Sequence, residues 1–200
     1  MSTINDQLIH STAIIDKGSK IGIGTKIWHW THICSGALVG DNCNLGQNVF
    51  VSGKAIIGSN VKIQNNVSIY DMVVLEDFVF CGPSVVFTNV KNPRSHISRK
   101  NEYKKTIIRK GVSIGANSTI LCGIEIGKYA FIGAGSLVTK NVKPFSLMLG
   151  APAIHSGWIS KTGERFKFPT NGLQEWKCSE TGEIYFYDEK TDMVELKKNF

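Results

Sequence analysis

The most regular feature of the chain is an apolar residue at every sixth position. Thirteen consecutive members of this series are apolar between residues 15 and 87, and six more follow between residues 108 and 138. The members are Ile15, Ile21, Ile27, Ile33, Val39, Leu45, Val51, Ile57, Ile63, Ile69, Leu75, Cys81, Phe87, Ile108, Ile114, Ile120, Ile126, Ile132 and Val138. Smaller side chains stand two residues before them, as Ala13 and Thr25 do. Because alternate residues of a strand share a face, each hexad predicts a short strand with two inward side chains.

The residue after the apolar member is often glycine, and Asn or Asp often follows it. Both types suit tight turns. Three such hexads, 18 residues in all, close one triangular coil. The pattern therefore predicts an all-β fold, a parallel β-helix of about six to seven coils, whose open ends and flat faces need to be covered.

The period fails at residues 88–106, a polar segment that carries Pro93 and the single acidic residue Glu102. Its six basic side chains are Lys91, Arg94, Arg99, Lys100, Lys104 and Lys105. Long loops within compact domains are mostly functional, so we predict a loop ejected from the β-helix that binds an anion. The alternative is a solvated, charged loop that covers the edge of an oligomer.

Charge separates the chain into a basic body and a neutral tail. Of its 200 residues, 1–157 hold 16 Lys and Arg against 8 Asp and Glu, whereas 158–200 hold 7 against 8. We predict a β-helix domain over 1–157 and a C-terminal β-hairpin appendage over 158–200, with strands at 182–187 and 193–196. A basic body suits a phosphorylated metabolite, a nucleotide or a nucleic acid, but no nucleic-acid recognition motif is present, so we expect no nucleic acid.

Cysteine usage and hydropathy bear on the compartment. The five cysteines are odd in number and lack CxxC spacing, which argues against a disulfide framework and a zinc site. His29 and His32 raise a metal hypothesis, but no third ligand is evident nearby, and we expect no metal. No apolar run is long enough to span a membrane and the first residues are polar, so we expect a cytoplasmic protein.

The hexapeptide pattern resembles the hexapeptide-repeat acyltransferases, whose fold is a left-handed parallel β-helix. This resemblance implies a left-handed coil, against the usual crossover rule. It also implies a homotrimer with active sites between subunits. A purely structural β-helix is the alternative outside enzymes, but the outward side chains are mixed and form no regular ladder.

Five longer motifs narrow the resemblance, together with Gly157 and Trp158. They are residues 27–33 (IWHWTHI), 45–51 (LGQNVFV), 62–71 (KIQNNVSIYD), 75–84 (LEDFVFCGPS) and 86–95 (VFTNVKNPRS). These motifs look like the N-acetyltransferases of nucleotide-linked 3-amino sugars, over roughly residues 10–165. The family includes enzymes for UDP-2-acetamido-3-amino-2,3-dideoxyglucuronate, which we favour, and for dTDP-3-amino-3,6-dideoxyhexoses. Hydroxyl-bearing or 4-amino sugars are further alternatives.

What the resemblance implies is transfer of an acetyl group from acetyl-CoA to the C3 amine, for surface polysaccharides such as O-antigen. Related O-acetyltransferases place a catalytic histidine where this chain has Asn89, and an asparagine is not a general base. Either the amine attacks without a base, which we favour, or another histidine such as His96 supplies it. Asn89 and Asp71 are the candidates for orienting the amine.

The binding residues come from the same resemblance. The candidates for the nucleotide sugar are Gln64, Asn65, Asn66, Tyr70, Glu76, Arg94 and Tyr103. The candidates for acetyl-CoA are Gly115, Ala116, Gly133 and Ala134, through backbone N–H groups, and Lys140, Lys143 and Pro144 near the adenosine phosphates. The cluster of Trp28, His29, Trp30 and His32 either stacks a pyrimidine or fills a trimer interface.

Overall fold

The structure is a computed structural model that describes residues 2–4, 7–166, 168 and 174–197. Most of the chain winds through three parallel sheets, which form the faces of a triangular prism. The first face contains β2 (Gln7–Ile9), β5 (Lys26–Ile27), β8 (Asn44–Leu45), β11 (Lys62–Ile63), β14 (Phe80–Cys81), β17 (Ser113–Ile114), β20 (Phe131–Ile132) and β22 (Ser146–Leu149). The strands are numbered in chain order.

The other two faces carry the intervening strands. The second face contains β3 (Ile14–Ile15), β6 (His32–Ile33), β9 (Phe50–Val51), β12 (Ser68–Ile69), β15 (Val86–Phe87), β18 (Thr119–Ile120) and β21 (Leu137–Val138). The third face contains β4 (Lys20–Ile21), β7 (Leu38–Val39), β10 (Ile56–Ile57), β13 (Val73–Leu75), β16 (Thr106–Ile108) and β19 (Glu125–Ile126). Six coils have a strand on every face, and β20 and β21 begin a seventh. The predicted left-handed parallel β-helix is confirmed.

The core follows the hexapeptide series. Ile63 pairs in register with Leu45 and Cys81, so residues 18 apart stack along the prism. Nearly all the apolar members between Ile27 and Val138 are buried. The burial of each large aliphatic side chain contributes about 1.5–3 kcal/mol. Smaller inward residues complete each layer, and the buried Thr25 hydroxyl donates to the Gly40 carbonyl at 2.8 Å.

Close stacking of the coils explains one recurrent glycine. A Cβ on Gly115 would lie 2.4 Å from the Ala134 nitrogen, and a Cβ on Gly82 would lie 2.6 Å from the Ala116 nitrogen. No side chain fits at that separation, so the next coil requires glycine here. Asparagine takes the left-handed turn position instead, as at Asn48 (φ 58°) and Asn66 (φ 62°).

The loop leaves the prism between β15 and β16. It spans 88–105 rather than 88–106, because Thr106 is buried and begins β16, which pairs with β13. Its base is closed by the Lys104 N–H, which donates to the Asn89 carbonyl at 3.0 Å. A single 3-10 turn, Lys100–Glu102, is the only helix in the described residues, and it is too short to cross a membrane.

Beyond the prism, the first face continues antiparallel into β23 (Ile154–Ile159) and β24 (Arg165–Phe166). β23 crosses the predicted boundary between 157 and 158. A separate antiparallel sheet follows, with β25 (Glu175–Lys177), β26 (Ile184–Asp188) and β27 (Met193–Leu196). The two predicted strands thus gain a third.

The appendage has its own apolar cluster, which continues into the last coils. Tyr185 is fully buried, and its ring packs edge-on against Phe145 at 5.3 Å between centroids. Phe145 in turn stacks on Tyr129 of the prism at 5.4 Å. The remaining buried members are Trp158, Phe166, Cys178 and Val194. The appendage is therefore packed onto the prism through aromatic side chains.

Candidate functional site

The inner side of the ejected loop forms an open groove of about 730 Å³. Asn89 enters it directly after β15 and is half-buried. The groove brings together Asn89, Arg94, Tyr103 and the alternative base His96, all named from the sequence, and it also includes Arg99. Arg99 pairs with Glu102 at 2.7 Å, yet its buried Nε has no hydrogen-bond partner among the described residues. The positive charges of Arg94 and Arg99 on its lining suit the groove to an anion.

A second pocket of about 350 Å³ lies at the base of the same loop. It is lined by Asp71, Lys54, Lys100 and Tyr103, with Met72 and Asn101. Lys100 and Tyr103 line both this pocket and the loop groove, so the two cavities adjoin at these side chains. The two predicted catalytic residues, Asn89 and Asp71, thus line adjoining cavities.

The Asp71 carboxylate is held from one side. Its Oδ1 accepts hydrogen bonds from the Ser52 hydroxyl and from the Lys54 N–H, the latter at 3.1 Å. These contacts fix the carboxylate and leave Oδ2 without a hydrogen-bond partner in the described residues. Ser52 and Lys54 are absent from the sequence-based predictions. Their signal is the spacing, since each precedes Asp71 by about one coil.

Gln64 and Asn65 lie elsewhere. They line a groove of about 220 Å³ with Trp28, His29 and Gln47 at the corner between the first and second faces. Asn65 Oδ1 accepts from the Gln47 N–H at 2.9 Å. The loop grooves do not include these residues within this one chain.

Asn66 and Tyr70 also stack with neighbouring coils. Asn66 Oδ1 accepts from the Asn48 amide at 3.0 Å. Tyr70 is exposed, and its ring lies 6.1 Å from that of Phe50. A role for either residue in the substrate site stays a prediction.

Glu76 has structural partners. Its Oε1 accepts from Arg109 at 2.8 Å and its Oε2 accepts from the Lys110 N–H at 2.9 Å. Arg109 also binds Glu125 through two bonds of 2.8 and 2.7 Å, which lower the pKa of Glu125 and raise that of Arg109. Both oxygens of Glu76 are therefore already engaged, and this geometry favours a role in joining coils over the predicted contact with substrate.

The four residues predicted to bind acetyl-CoA through backbone N–H groups differ in whether those groups already donate hydrogen bonds within the β-helix. The Gly115 N–H donates to the Ile132 carbonyl at 2.7 Å, and the Gly133 N–H donates to the Met148 carbonyl at 2.8 Å. These two groups are unavailable to a ligand, because the coil ladder uses them. The N–H groups of Ala116 and Ala134 have no partner within the described residues. Of the four residues, only the two alanines therefore remain candidates for binding acetyl-CoA through a backbone N–H group.

The basic residues near the end of the prism differ in availability. Lys143 Nζ forms an ion pair with the Asp192 carboxylate and donates to the Asp192 carbonyl at 2.9 Å. The hydrogen bond from Lys143 to the carboxylate is the main cause of the lowered pKa of Asp192. The charge that we assigned to the adenosine phosphates is thus neutralised by the appendage. Lys140 is exposed, and the half-buried Pro144 packs over Gly127.

His29 and His32, the two histidines of the metal hypothesis, lie in different surroundings. His29 stacks on His10 with ring centroids 3.5 Å apart, and burial and His29 lower the pKa of His10. His32 lies on the second face, where its Nε2 is 3.2 Å from Asp16 Oδ1. The two histidines of the metal hypothesis therefore have different partners.

Comparisons with known proteins agree with the coil architecture. The family model for the bacterial transferase hexapeptide (six repeats) matches residues 18–53 and 105–140, and the hexapeptide repeat of succinyl-transferase matches 36–71. The gap between the first two matches contains the ejected loop except for its last residue, Lys105. A maltose O-acetyltransferase from Clostridium difficile 630 shares the fold with a TM-score of 0.51 and 25% identity, over 59% of this chain and 67% of that one.

Two curated relatives extend the comparison. The dTDP-3-amino-3,6-dideoxy-alpha-D-galactopyranose 3-N-acetyltransferase of Aneurinibacillus thermoaerophilus is 42% identical over 163 residues, which cover 82% of this chain and 84% of that enzyme. The bifunctional protein GlmU of Streptococcus uberis is 33% identical over 74% of this chain, but that match covers 30% of GlmU. With its repeats, its fold and a relative matched over most of both lengths, the chain belongs to the hexapeptide-repeat acetyltransferases.

Proposed function

We propose that this enzyme transfers the acetyl group of acetyl-CoA to the C3 amine of a nucleotide-linked 3-amino sugar. The observation that carries the proposal is the pair of adjoining cavities at Lys100 and Tyr103, with Asn89 lining one and Asp71 lining the other. An amine acceptor suits this site, because neither residue at its centre is a histidine base. The acetylated sugar would serve surface polysaccharides.

The proposed reaction has four parts. The amine nitrogen attacks the thioester carbonyl carbon, and the carbonyl oxygen gains negative charge that the Ala116 or Ala134 N–H can stabilise. The carbon–sulfur bond then breaks and CoA leaves as a thiolate. The proton lost from nitrogen passes to that thiolate or to water, so the products are an amide and free CoA.

Asp71 and Asn89 act by position in this scheme. Oδ2 of Asp71 accepts a hydrogen bond from the amine, while Ser52 and Lys54 hold the carboxylate in place. Correct placement of two reactants can itself lower the barrier by several kcal/mol. The half-buried Asn89 can hold the amine or the acetyl oxygen from the other side.

For the nucleotide, the relative from Aneurinibacillus thermoaerophilus reverses our order of preference. We propose a dTDP-linked 3-amino-3,6-dideoxyhexose as the first acceptor class. The UDP-linked glucuronate derivative favoured by the sequence motifs becomes the second, since Lys54 and Lys100 line the Asp71 pocket and could pair with its carboxylate. In either case Arg94 and Arg99 line the groove where a diphosphate would lie.

We propose that the working unit is a homotrimer. The loop groove is open in one chain, and the corner with Ala116 and Ala134 lies on the outside of the prism. A neighbouring subunit would close both into one cleft. Analytical ultracentrifugation of the purified protein measures the assembly, and a monomer that is fully active would contradict this arrangement.

The decisive experiment measures thiol release from acetyl-CoA with each acceptor in parallel. We expect turnover with dTDP-3-amino-3,6-dideoxy-galactose or -glucose, and little with the UDP-linked glucuronate derivative. Turnover confined to the UDP compound would reverse the order of acceptors. Binding of CoA without turnover on any 3-amino sugar would contradict the proposed acceptor and direct the search to hydroxyl or 4-amino sugars.

Two variants test the base-free chemistry. Asp71→Asn keeps the size of the side chain and removes its charge, and we expect kcat/KM to fall about 10- to 100-fold. His96→Ala removes the histidine of the loop groove, and we expect at most a small change. A collapse of turnover at pH 7 in His96→Ala, recovered at high pH, would show that His96 is the base.

A further inference from the structure

Three side chains with metal-binding atoms meet at one corner of the first two coils. Asp16, His32 and Cys34 each offer one ligand atom, and these atoms all lie within 4.8 Å of one another. His32 Nε2 is 3.2 Å from Asp16 Oδ1 and 4.0 Å from Cys34 Sγ. The side chains are partly buried, and none of them lines the loop grooves. The acetyl-transfer scheme makes no use of this cluster.

The β-helix itself brings the three residues together. β3 pairs with β6 so that Ile14 lies beside His32 and Ile15 beside Ile33. Asp16 follows β3 and Cys34 follows β6, so the two residues occupy the same corner in successive coils. The Asp16 N–H also donates to the Ile33 carbonyl at 2.9 Å. The ladder of strands thus fixes the ligand positions without help from a loop.

The distances suit a tetrahedral cation. Zinc binds nitrogen and oxygen at about 2.0–2.2 Å and sulfur at about 2.3 Å, so tetrahedral ligands lie about 3.3 Å (N to O) and about 3.6 Å (N to S) apart. The observed separations of 3.2 and 4.0 Å need only a small rotation of the Cys34 side chain. The chemistry of an imidazole, a carboxylate and a thiolate also matches zinc.

Neighbouring groups orient two of the ligands. Asp16 Oδ2 accepts from the Ser35 N–H at 3.3 Å, which turns Oδ1 towards His32. The His32 ring packs edge-on against Phe50, with centroids 5.7 Å apart. Contacts of this kind fix ligand geometry around metals in proteins.

A nucleophilic relay does not explain the arrangement. A Cys–His–Asp relay needs the thiol at one ring nitrogen and the carboxylate at the other. Here Asp16 and Cys34 both approach Nε2 of His32. Three ligand atoms within 4.8 Å of one another, with two of them beside the same ring nitrogen, instead fit a shared cation.

We propose that Asp16, His32 and Cys34 bind a zinc-type divalent cation at the corner of the first two coils, with the fourth coordination position open to water or a small ligand. On binding, the Cys34 thiol gives its proton to solvent, and the thiolate takes up the metal. The proposal does not rest on the acetyl-transfer reaction.

The test uses the full chain, stripped with a chelator and kept reduced. Zinc is titrated in competition with a chromophoric chelator, and cobalt is then used as a spectroscopic probe. We expect one zinc per chain and a thiolate-to-cobalt charge-transfer band. Cys34→Ser should abolish the band and weaken zinc binding by more than about tenfold, and Asp16→Asn should weaken binding with the band retained.

A matched control guards against non-specific thiol binding. Cys178 is a buried thiol of the appendage with a carboxylate neighbour, Glu164 Oε2 at 3.4 Å. Cys178→Ser should leave both the stoichiometry and the band unchanged. The proposal is overturned if the unmodified protein binds no zinc, or if Cys34→Ser binds as tightly and Cys178→Ser does not. Circular dichroism of each variant confirms that the β-helix is folded.

Discussion

At the corner between the first and second faces, the backbone N–H of Gln47 is capped by the next coil, whereas those of Ala116 and Ala134 have no partner within the described residues. At Gln47 the outward N–H is capped by the Asn65 side chain of the next coil, 18 residues on. At Ala116 the equivalent position is Ala134, whose methyl group accepts no hydrogen bond. The same backbone position thus either joins two coils or leaves an N–H donor open, depending on the side chain that lies one coil later.

Pro83 marks the change from one region to the other. It stacks between Asn65 and Ala116, as the Ser84 N–H donates to the Asn65 carbonyl at 2.9 Å and the Asn117 N–H to the Pro83 carbonyl at 3.0 Å. Proline has no N–H, so Ala116 has nothing to cap at this level. At the levels of Ala116 and Ala134 the side chains are small and the N–H donors have no partner within the described residues. Where the cap is missing, a β-helix leaves backbone donors open along its edge, and this is the edge that we propose for acetyl-CoA.

The largest expected effect, on catalysis, comes from capping the Ala116 N–H. Ala134→Asn would place an amide oxygen on the Ala116 N–H, as Asn65 does for Gln47. If acetyl-CoA uses that donor, kcat/KM for acetyl-CoA should fall about 10²- to 10³-fold, the loss typical for one oxyanion donor. Steady-state kinetics with varied acetyl-CoA measure this.

Ala134→Gly serves as the control for that variant, because it keeps the Ala116 N–H free. Its kinetics should stay near those of the unmodified enzyme. Thermal denaturation of Ala134→Asn should show no loss of stability. Full activity in Ala134→Asn would mean that the late corner does not hold the acetyl donor.

An intermediate effect, on stability, comes from removing the cap of the Gln47 N–H. Asn65→Ala uncovers the Gln47 N–H and should lower the free energy of unfolding by about 1 kcal/mol, the typical value of one hydrogen bond. Urea denaturation measures the change. Because the side chain has a structural partner, we expect the KM for the nucleotide sugar to change less than about threefold. A larger rise in KM would return Asn65 to the substrate site.

The smallest effect concerns the corner between the third and first faces, which a carboxylate closes. Glu76 caps the Lys110 N–H there, and Arg109 joins Glu76 to Glu125. The pKa of Glu125 is lowered in the folded chain, so its contribution to stability is present above the ordinary glutamate pKa and disappears as the pH falls through the lowered value.

Glu125→Gln should therefore cost stability at pH 7, by less than about 1 kcal/mol because the side chain is well exposed. The difference from the unmodified protein should vanish in acid. Urea denaturation at pH 7 and at pH 3 tests this. An equal difference at both values would rule out the charge of Glu125 as its source.

The fold was predictable because its core repeats at short range. The apolar members from Ile27 to Val138 are buried where the six-residue period placed them, and the loss of the period located the loop. A hexad can be recognised from the residue types at neighbouring positions alone. The third appendage strand, Glu175–Lys177, was missed because three residues hold too little alternation to stand out.

Partners within the site were less predictable, because they come from neighbouring coils or from the appendage. Lys54 meets Asp71 one coil later, and Lys143 meets Asp192 49 residues later. A contact between neighbouring coils, such as that of Lys54 with Asp71, could have been found by reading the sequence at a spacing of about 18. The contact of Lys143 with Asp192 depends on how the appendage packs, which no short-range period encodes.

The first face ends in a reversal of strand direction at both extremes. β1 (Ser2–Ile4) lies antiparallel to β2, and β23 lies antiparallel to β22. A stack of parallel coils has no intrinsic length, since its last strand could template another molecule end to end as in a fibre. A reversed strand presents the wrong polarity to such a copy. β1 therefore opposes filament growth at the first extreme. At the other extreme β24 is antiparallel to β23 and runs along the coils again, so the stack ends there in an antiparallel extension rather than in an exposed reversed strand.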